Sequence, residues 1–204
     1  MLMKLASQKS GLTPLEKNSL TGLTMVELLV ATFIGMLAFL VLFYVSLTIQ
    51  NNISIGSGIL DITQTGRFAA NWMMRDIREA NEVKSSYSTY SSDNTTLIIN
   101  IPVTDINGTI IGYDTVIYTL DTPALTKLRR IVYAVPGSSR VNASEIIAQD
   151  IKSLAFSSNG TMLSSVTNKS TIKVLTMDVT TAKIIMGVER LNEVIVSSSL
   201  RNKK

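Results

Sequence analysis

The chain of 204 residues contains neither cysteine nor histidine. Without cysteine it can form no disulfide framework and no thiolate metal site. Without histidine it lacks the side chain that most often serves as a general base or a metal ligand. The aspartates of the second half show no spacing typical of a paired acid and base or of a calcium loop. These aspartates are Asp105, Asp114, Asp121, Asp150 and Asp178. We interpret them as solvated or capping residues, expect no cofactor and predict that the chain is not an enzyme.

Strong charge of either sign is also lacking, since the formal net charge is +4 at pH 7. Residues 1–22 hold Lys4, Lys9, Lys17 and Glu16, and these three cations and one anion give +2. The rest of the chain is therefore left with +2 from its side chains. This balance does not directly indicate nucleic-acid binding.

A long apolar run follows Glu27, because residues 28–47 contain no charged side chain. Twenty helical residues span about 30 Å, which is the thickness of a bilayer's hydrocarbon core. The sequence therefore predicts a transmembrane helix. An ionised carboxylate within a membrane costs about 3 kcal/mol or more unless it is paired. Two interpretations of Glu27 stay open here: a single-span anchor with this carboxylate in the wet interface, or a buried carboxylate that pairs with a cation.

The sequence that leads from Gly22 into this run reads Gly22-Leu-Thr-Met-Val-Glu27-Leu-Leu-Val-Ala. It resembles the processing and methylation site of type IV prepilins and type II secretion pseudopilins, with Leu23 where phenylalanine is usual. The resemblance implies that a prepilin peptidase cuts between Gly22 and Leu23 and methylates the new amine of Leu23. It also implies that Glu27, with Thr24, is the assembly contact. In this family the carboxylate is linked to the terminal amine of a neighbouring subunit.

The segment before the predicted cut, residues 1–22, has the character of a basic leader. An ordinary secretory signal has its apolar region before the cut, whereas here the apolar run follows it. The three lysines favour a cytoplasmic position for the leader. We therefore expect a single-pass protein of the inner membrane, with its C-terminal domain on the periplasmic or extracellular side and a later place in a pilus or pseudopilus.

The predicted transmembrane and filament-core segment comprises residues 23–49. Residues 50–83 are predicted to continue it as an amphipathic helix. Gly56 and Gly58 are poor helix formers, and a bend is expected there. Beyond them, one face collects apolar residues at spacings of three, four or seven. These residues are Ile62, Ala69, Trp72, Met73, Ile77 and Ala80. The sequence Arg75-Asp76-Ile77-Arg78 resembles a stretch of PilW-type minor pilins and J-type minor pseudopilins, and we expect Arg75 to pair with Glu79.

The last segment, residues 84–204, is predicted to be a β-rich globular domain. A polar loop is expected at 84–96, followed by runs rich in β-branched and aromatic residues. The predicted strands are 97–103, 115–120, 127–135, 150–156, 171–180 and a final run from 194. Residues 144–156 remain ambiguous between helix and strand, with a strand favoured from Asp150. Turns are expected at 107–108, 136–137, 159–160 and 168–169. The predicted fold class is α+β, with a long N-terminal helix packed on a C-terminal antiparallel sheet.

The resemblance implies a minor pilin or pseudopilin subunit, placed at the tip of a type IV pilus or type II secretion pseudopilus or acting as its initiator. Its expected partners are the prepilin peptidase, sibling minor and major pilins, the inner-membrane assembly platform and membrane lipid. A membrane-anchored hydrolase is the rival from another class. The remaining alternative is a single-span anchor whose β-domain is an adhesin or ligand-binding module. Tyrosines that could line such a binding surface are interpreted as packing residues: Tyr87, Tyr90, Tyr113, Tyr118 and Tyr133.

Overall fold

The computed structural model describes residues 24–121 and 126–201. The chain divides into two compact units, Met1–Ile49 and Gln50–Lys204. One helix, α1 (Met25–Glu79), contributes to both. Gly22 and Leu23, which form the predicted cleavage site, lie outside the described residues.

In the first unit, α1 carries the predicted apolar run. Every residue from Met25 to Ile49 is exposed. The most apolar stretch of 18 residues in α1 has a mean hydropathy of 2.6, and none of it is buried. Within the described ranges this is the one helix long and apolar enough to cross a membrane, so it is suited to single-pass anchoring.

In the second unit, α1 runs through Gly56 and Gly58 without interruption, so the bend expected there does not break the helix. At Gly58 a side chain would meet the Cδ1 atom of Ile185 at 2.4 Å, so this glycine allows a close approach of helix and strand. The helix ends at Glu79, four residues before the predicted end at Val83. The chain leaves the helix there because Val83 pairs with Ile99 in a sheet.

Eleven strands follow α1 in the described part of the chain. They are β1 (Glu82–Val83), β2 (Ser86–Tyr87), β3 (Tyr90–Ser91), β4 (Leu97–Thr104), β5 (Ile110–Leu120), β6 (Leu128–Tyr133), β7 (Ala143–Ala148), β8 (Ile151–Ser158), β9 (Thr161–Met162), β10 (Val174–Ile185) and β11 (Val188–Ser199). Two short 3₁₀ turns, Leu163–Ser165 and Lys169–Thr171, lie between β9 and β10. The predicted α+β class, a long helix packed on antiparallel sheet, is confirmed.

The strands form two larger sheets and one hairpin, and every pairing is antiparallel. The five-stranded sheet has the order β1-β4-β5-β6-β7, and the four-stranded sheet has the order β11-β10-β8-β9. The chain passes from one sheet to the other between β7 and β8, where Asp150 adopts a positive φ of 58°.

Several predicted boundaries need correction. The polar loop expected at 84–96 contains the small hairpin β2–β3. Strand β5 begins at Ile110, five residues early, and β10 begins at Val174, three residues late, because a 3₁₀ turn occupies 169–171. The ambiguous region 144–156 resolves into β7 and β8, of which β7 was not predicted.

The main core of the second unit lies between the inner face of α1 and both larger sheets. On the helix this face includes Ile62, Ala69, Met73 and Ile77, all at most 2% exposed, as the predicted period requires. Trp72, assigned to the same face, is only half-buried. The opposite face of the five-stranded sheet carries a second, smaller cluster.

That smaller cluster consists of Ile98, Ile117 and Ile131, with Tyr87, Tyr90 and Tyr133 packed against it. The rings of Tyr87 and Tyr133 lie 5.0 Å apart between centroids. Packing is therefore the role of these tyrosines, and Tyr118 belongs to the main core.

Candidate functional site

The first candidate site is the N-terminal turn of α1, where Thr24 and Glu27 bind each other. The Thr24 backbone N–H and hydroxyl donate to Oε2 of Glu27 at 2.8 and 2.9 Å. In return the Glu27 N–H donates to the Thr24 hydroxyl at 3.2 Å. This reciprocal arrangement is a capping box, which satisfies two N–H groups that a helix start leaves without partners.

Oε2 of Glu27 is thus engaged locally, whereas Oε1 contacts no partner in the described residues. The carboxylate stands at the head of a helix whose side chains are apolar and exposed. Chemically, the site offers a carboxylate oxygen that accepts no hydrogen bond from the described residues, at the edge of an apolar surface. A cation from another molecule can bind there without displacing the cap.

A second set of polar residues lies where α1 packs on the five-stranded sheet. Asp76 is 3% exposed, and its Oδ2 accepts hydrogen bonds from the Tyr118 hydroxyl at 2.6 Å and from Nε of Arg130 at 2.8 Å. Arg130 also donates to Glu145 at 3.1 Å, and its guanidinium lies 5.2 Å from the ring centroid of Trp72. We refer to these five residues as the Asp76 cluster. It holds the helix to strands β5, β6 and β7.

The environment of the Asp76 cluster shifts two pKa values. Burial, followed by the charge and hydrogen bond of Asp76, raises the pKa of Tyr118 well above its ordinary value. Burial acts to lower the pKa of Arg130, but the hydrogen bond and charge of Asp76 outweigh it and raise that pKa. The tyrosine therefore stays protonated and the arginine stays charged, as a fixed structural contact requires.

Asp114 is fully buried, which corrects its interpretation as a solvated or capping aspartate. It accepts hydrogen bonds from the Val135 N–H at 2.9 Å, from the Ser138 hydroxyl at 2.6 Å and from Arg140 at 3.3 Å. Arg140 also binds Glu79, so a charged chain of contacts links the end of α1 to the β6–β7 connection. The predicted pair Arg75–Glu79 forms as well, at 3.6 Å.

Two of the other aspartates, Asp105 and Asp121, fill local roles, whereas Asp178 has a buried Oδ1 with no hydrogen-bond partner among the described residues. Asp105 accepts the N–H groups of Asn107 and Thr109 and so closes the predicted turn between β4 and β5. The Arg129 side chain holds Asp121 and lowers the pKa of that carboxyl. The described residues contain no group of three acidic side chains that could hold a metal ion.

An open groove of about 580 Å³ lies in the second unit. It is lined by Asp61, Gln64, Thr65, Phe68 and residues 146–150. Lys183 binds Asp61 at 2.5 Å beside it. None of the residues predicted as functional from the sequence lines this groove.

No family model and no curated protein matches this chain. The structure brings Thr24 and Glu27 together, and it does not describe Gly22 and Leu23. The capping box was missed from the sequence although its signal, threonine followed three residues later by glutamate, is present. The Asp76 cluster was also missed, and its only local signal is an aspartate within an apolar helix face.

Proposed function

We propose that this chain is a minor pilin or pseudopilin subunit. It is cut after Gly22, methylated on Leu23 and assembled with sibling subunits into a type IV pilus or type II secretion pseudopilus, at the tip or as the initiator. The observation that carries the proposal is Oε1 of Glu27, which has no partner among the described residues and lies at the head of the exposed, charge-free stretch 28–49 of α1. The cleavage-site sequence around it supplies the matching cation, the new amine of Leu23.

The physical argument rests on desolvation. Within a membrane or a bundle of apolar helices, a carboxylate and an amine attract each other strongly because the dielectric constant is low. Removing either partner leaves the other charge buried and unpaired, at a cost of about 3–5 kcal/mol. A subunit that lacks the carboxylate is then excluded from the assembly while its membrane anchoring is unaffected.

The exposed surface of α1 from Met25 to Ile49 fits the same proposal. Small residues, among them Gly35 and Ala38, leave space on this surface, and a Cβ atom at Gly35 would meet nothing within 4 Å. Helices of neighbouring subunits pack closely at such positions. The β-rich unit then lies on the periplasmic or extracellular side. In this scheme the chain is a substrate of the prepilin peptidase and has no catalytic role of its own.

The experiment separates the charge of Glu27 from its capping role. Glu27→Gln removes the charge but keeps an oxygen that can accept from Thr24, as glutamine does in capping boxes. Thr24→Ala weakens the cap but keeps the charge. We expect Glu27→Gln and Glu27→Ala to be cut and membrane-bound yet absent from sheared filaments or the crosslinked subunit complex, whereas Thr24→Ala, which loses the contact to the carboxylate but keeps its charge, is incorporated at a reduced level. Normal incorporation of Glu27→Gln would refute the assembly role.

A further inference from the structure

Among the residues that the structure describes, the two larger sheets end in four edge strands, and one of them is unlike the others. β1 and β9 have two residues each, and β7 has six residues with an irregular register against β6. β11 has twelve residues and pairs with β10 without a break from Val188 to Ser199. Proteins normally protect such an edge with a bulge, a lysine, a proline or an inward-pointing charge. β11 has no bulge, lysine or proline, and its one inward-pointing cation, Arg190, lies near the start of the strand, outside 191–197.

The inner face of the sheet is incompletely covered at β11. On β10, Met177 and Val179 face the core and are fully buried. Their direct partners on β11, Val196 and Val194, remain half-buried. Opposite residues of an antiparallel pair lie on the same face. The two valines are therefore more exposed than their partners because β11 is the outermost strand of the sheet. One additional strand beside β11 would complete the burial of both valines.

The outer face of β11 alternates acidic and apolar residues along Glu189, Leu191, Glu193 and Ile195. Leu191 is 55% exposed and Ile195 is 61% exposed. Glu189 binds Lys152 at 2.7 Å, whereas Glu193 has no partner among the residues that the structure describes. A strand that complements this face therefore presents a cation opposite Glu193 and apolar side chains beside its neighbours.

A second copy of this chain does not supply that complement through its own β11. When the β11 strands of two copies pair edge to edge and their sheets continue with a common outer face, each outer residue of one strand lies opposite an outer residue of the other. The outer residues of β11 are glutamate, leucine, isoleucine and serine, and its one cation, Arg190, lies on the inner face. Glu193 would thus never meet a positive charge, and in some registers it would meet another glutamate, which is destabilising.

We propose that the free edge of β11 is a docking site for an extended segment of a different protein chain. That segment adds to the four-stranded sheet next to β11. It places lysine or arginine opposite Glu193 and apolar side chains beside Leu191 and Ile195. Main-chain hydrogen bonds give the affinity and the alternating side chains give the selectivity. The inference rests on the sheet alone and does not depend on the proposed function.

The test uses the full chain in an uncharged detergent and three labelled peptides with blocked ends. The first is Lys-Thr-Val-Val-Lys-Val-Val-Thr-Lys, whose first, third, fifth, seventh and ninth residues share one face. The second replaces each lysine by glutamate, and the third replaces the valine before the central lysine of the first by proline. Fluorescence anisotropy gives the affinities. We expect the lysine peptide to bind about tenfold more tightly than either of the others, because only it has both the charge and the N–H groups. Its binding should slow amide exchange along 189–197.

Three variants locate the site. Leu191→Lys and Glu193→Lys place a cation on the exposed edge and should each weaken the lysine peptide about tenfold. Ile184→Lys is the matched control, because Ile184 is 75% exposed on the same outer face but belongs to β10. It should change the affinity less than twofold.

Each contrary result overturns the proposal. Equal binding of the lysine and glutamate peptides, or no binding of either, removes the selectivity on which it depends. An equal loss in Ile184→Lys assigns the binding to the sheet face and not to its edge. If the chain alone forms a dimer that Leu191→Lys dissociates in sedimentation, then the occupant is a second copy.

Discussion

The contact between α1 and the five-stranded sheet depends on Asp76, so substituting this residue should destabilise the second unit strongly. In Asp76→Ala the guanidinium of Arg130, which is 7% exposed, loses its buried counterion and keeps only Glu145, itself half exposed. Removing one partner of a buried ion pair costs about 3–5 kcal/mol. Asp76→Asn keeps an acceptor oxygen but removes the negative charge of the acceptor, which weakens the hydrogen bonds from Tyr118 and Arg130 by about 1 kcal/mol each. We therefore expect a loss of about 2 kcal/mol for the asparagine variant.

The assay is urea unfolding of the full chain in detergent, followed by tryptophan fluorescence. The chain has a single tryptophan, Trp72, and its ring lies beside Arg130, so the signal comes from the site that is altered. Arg75→Ala is the matched control on the same helix, because its pair with Glu79 is exposed and should contribute about 0.5 kcal/mol or less.

A double replacement tests the mechanism of this loss. Asp76→Leu combined with Arg130→Met exchanges the ion pair for apolar side chains of similar size. The Tyr118 hydroxyl retains the Trp72 carbonyl oxygen as an acceptor at 3.3 Å. The double variant should be more stable than Asp76→Ala, because no buried charge is left unpaired. A loss below about 1 kcal/mol in Asp76→Ala would refute the reasoning.

Two further predictions concern buried contacts of the second unit. The raised pKa of Tyr118 means that its protonated form favours the folded state, so this stability is present below the ordinary tyrosine pKa and is lost as the pH rises through the raised value. In an alkaline titration followed by tyrosinate absorbance, the ionisation of Tyr118 should appear only as a step at alkaline unfolding; this step should be lost in Tyr118→Phe and kept in Tyr113→Phe. Gly66→Leu should lower the free energy of unfolding by about 1–3 kcal/mol in urea, because even a Cβ atom added at this position would lie only 3.2 Å from side-chain atoms of Asn192 and Val194. Arg67→Leu, one residue along on the exposed face, should change stability by less than about 0.5 kcal/mol; an equal loss in both variants would contradict the role of the close contact.

The sequence was sufficient for the helix and most of the strands because both depend on local periodicity. The apolar residues of α1 recur with the helical period, and Ile62, Met73 and Ile77 are buried as that period predicts. Strand β7 was missed because Ser144 and Glu145, which lie on its two opposite faces, are both exposed at a sheet edge and dilute the apolar pattern.

The polar contacts of the core were not predictable in the same way. Asp76 binds Tyr118 and Arg130, which lie 42 and 54 residues further along the chain. Only the sheet topology brings them together, and no local pattern encodes it. Asp114 illustrates the same limit, because its half-buried partner Ser138 comes from a connection 24 residues away.

The N-terminal turn of α1 shows the opposite case, because Thr24 and Glu27 are three residues apart and their contact is local. The sequence placed Thr24 and Glu27 in one functional motif, and the structure shows a direct contact between their side chains. What that carboxylate binds outside the chain depends on whether a new amine is created at Leu23.

The most direct test of the central proposal is therefore the intact mass of the full chain, extracted from membranes of cells that contain an active prepilin peptidase, together with its N-terminal sequence. We predict a chain that begins at Leu23 and carries one additional methyl group. A chain that still begins at Met1, in cells where the peptidase processes another substrate, would contradict the proposal.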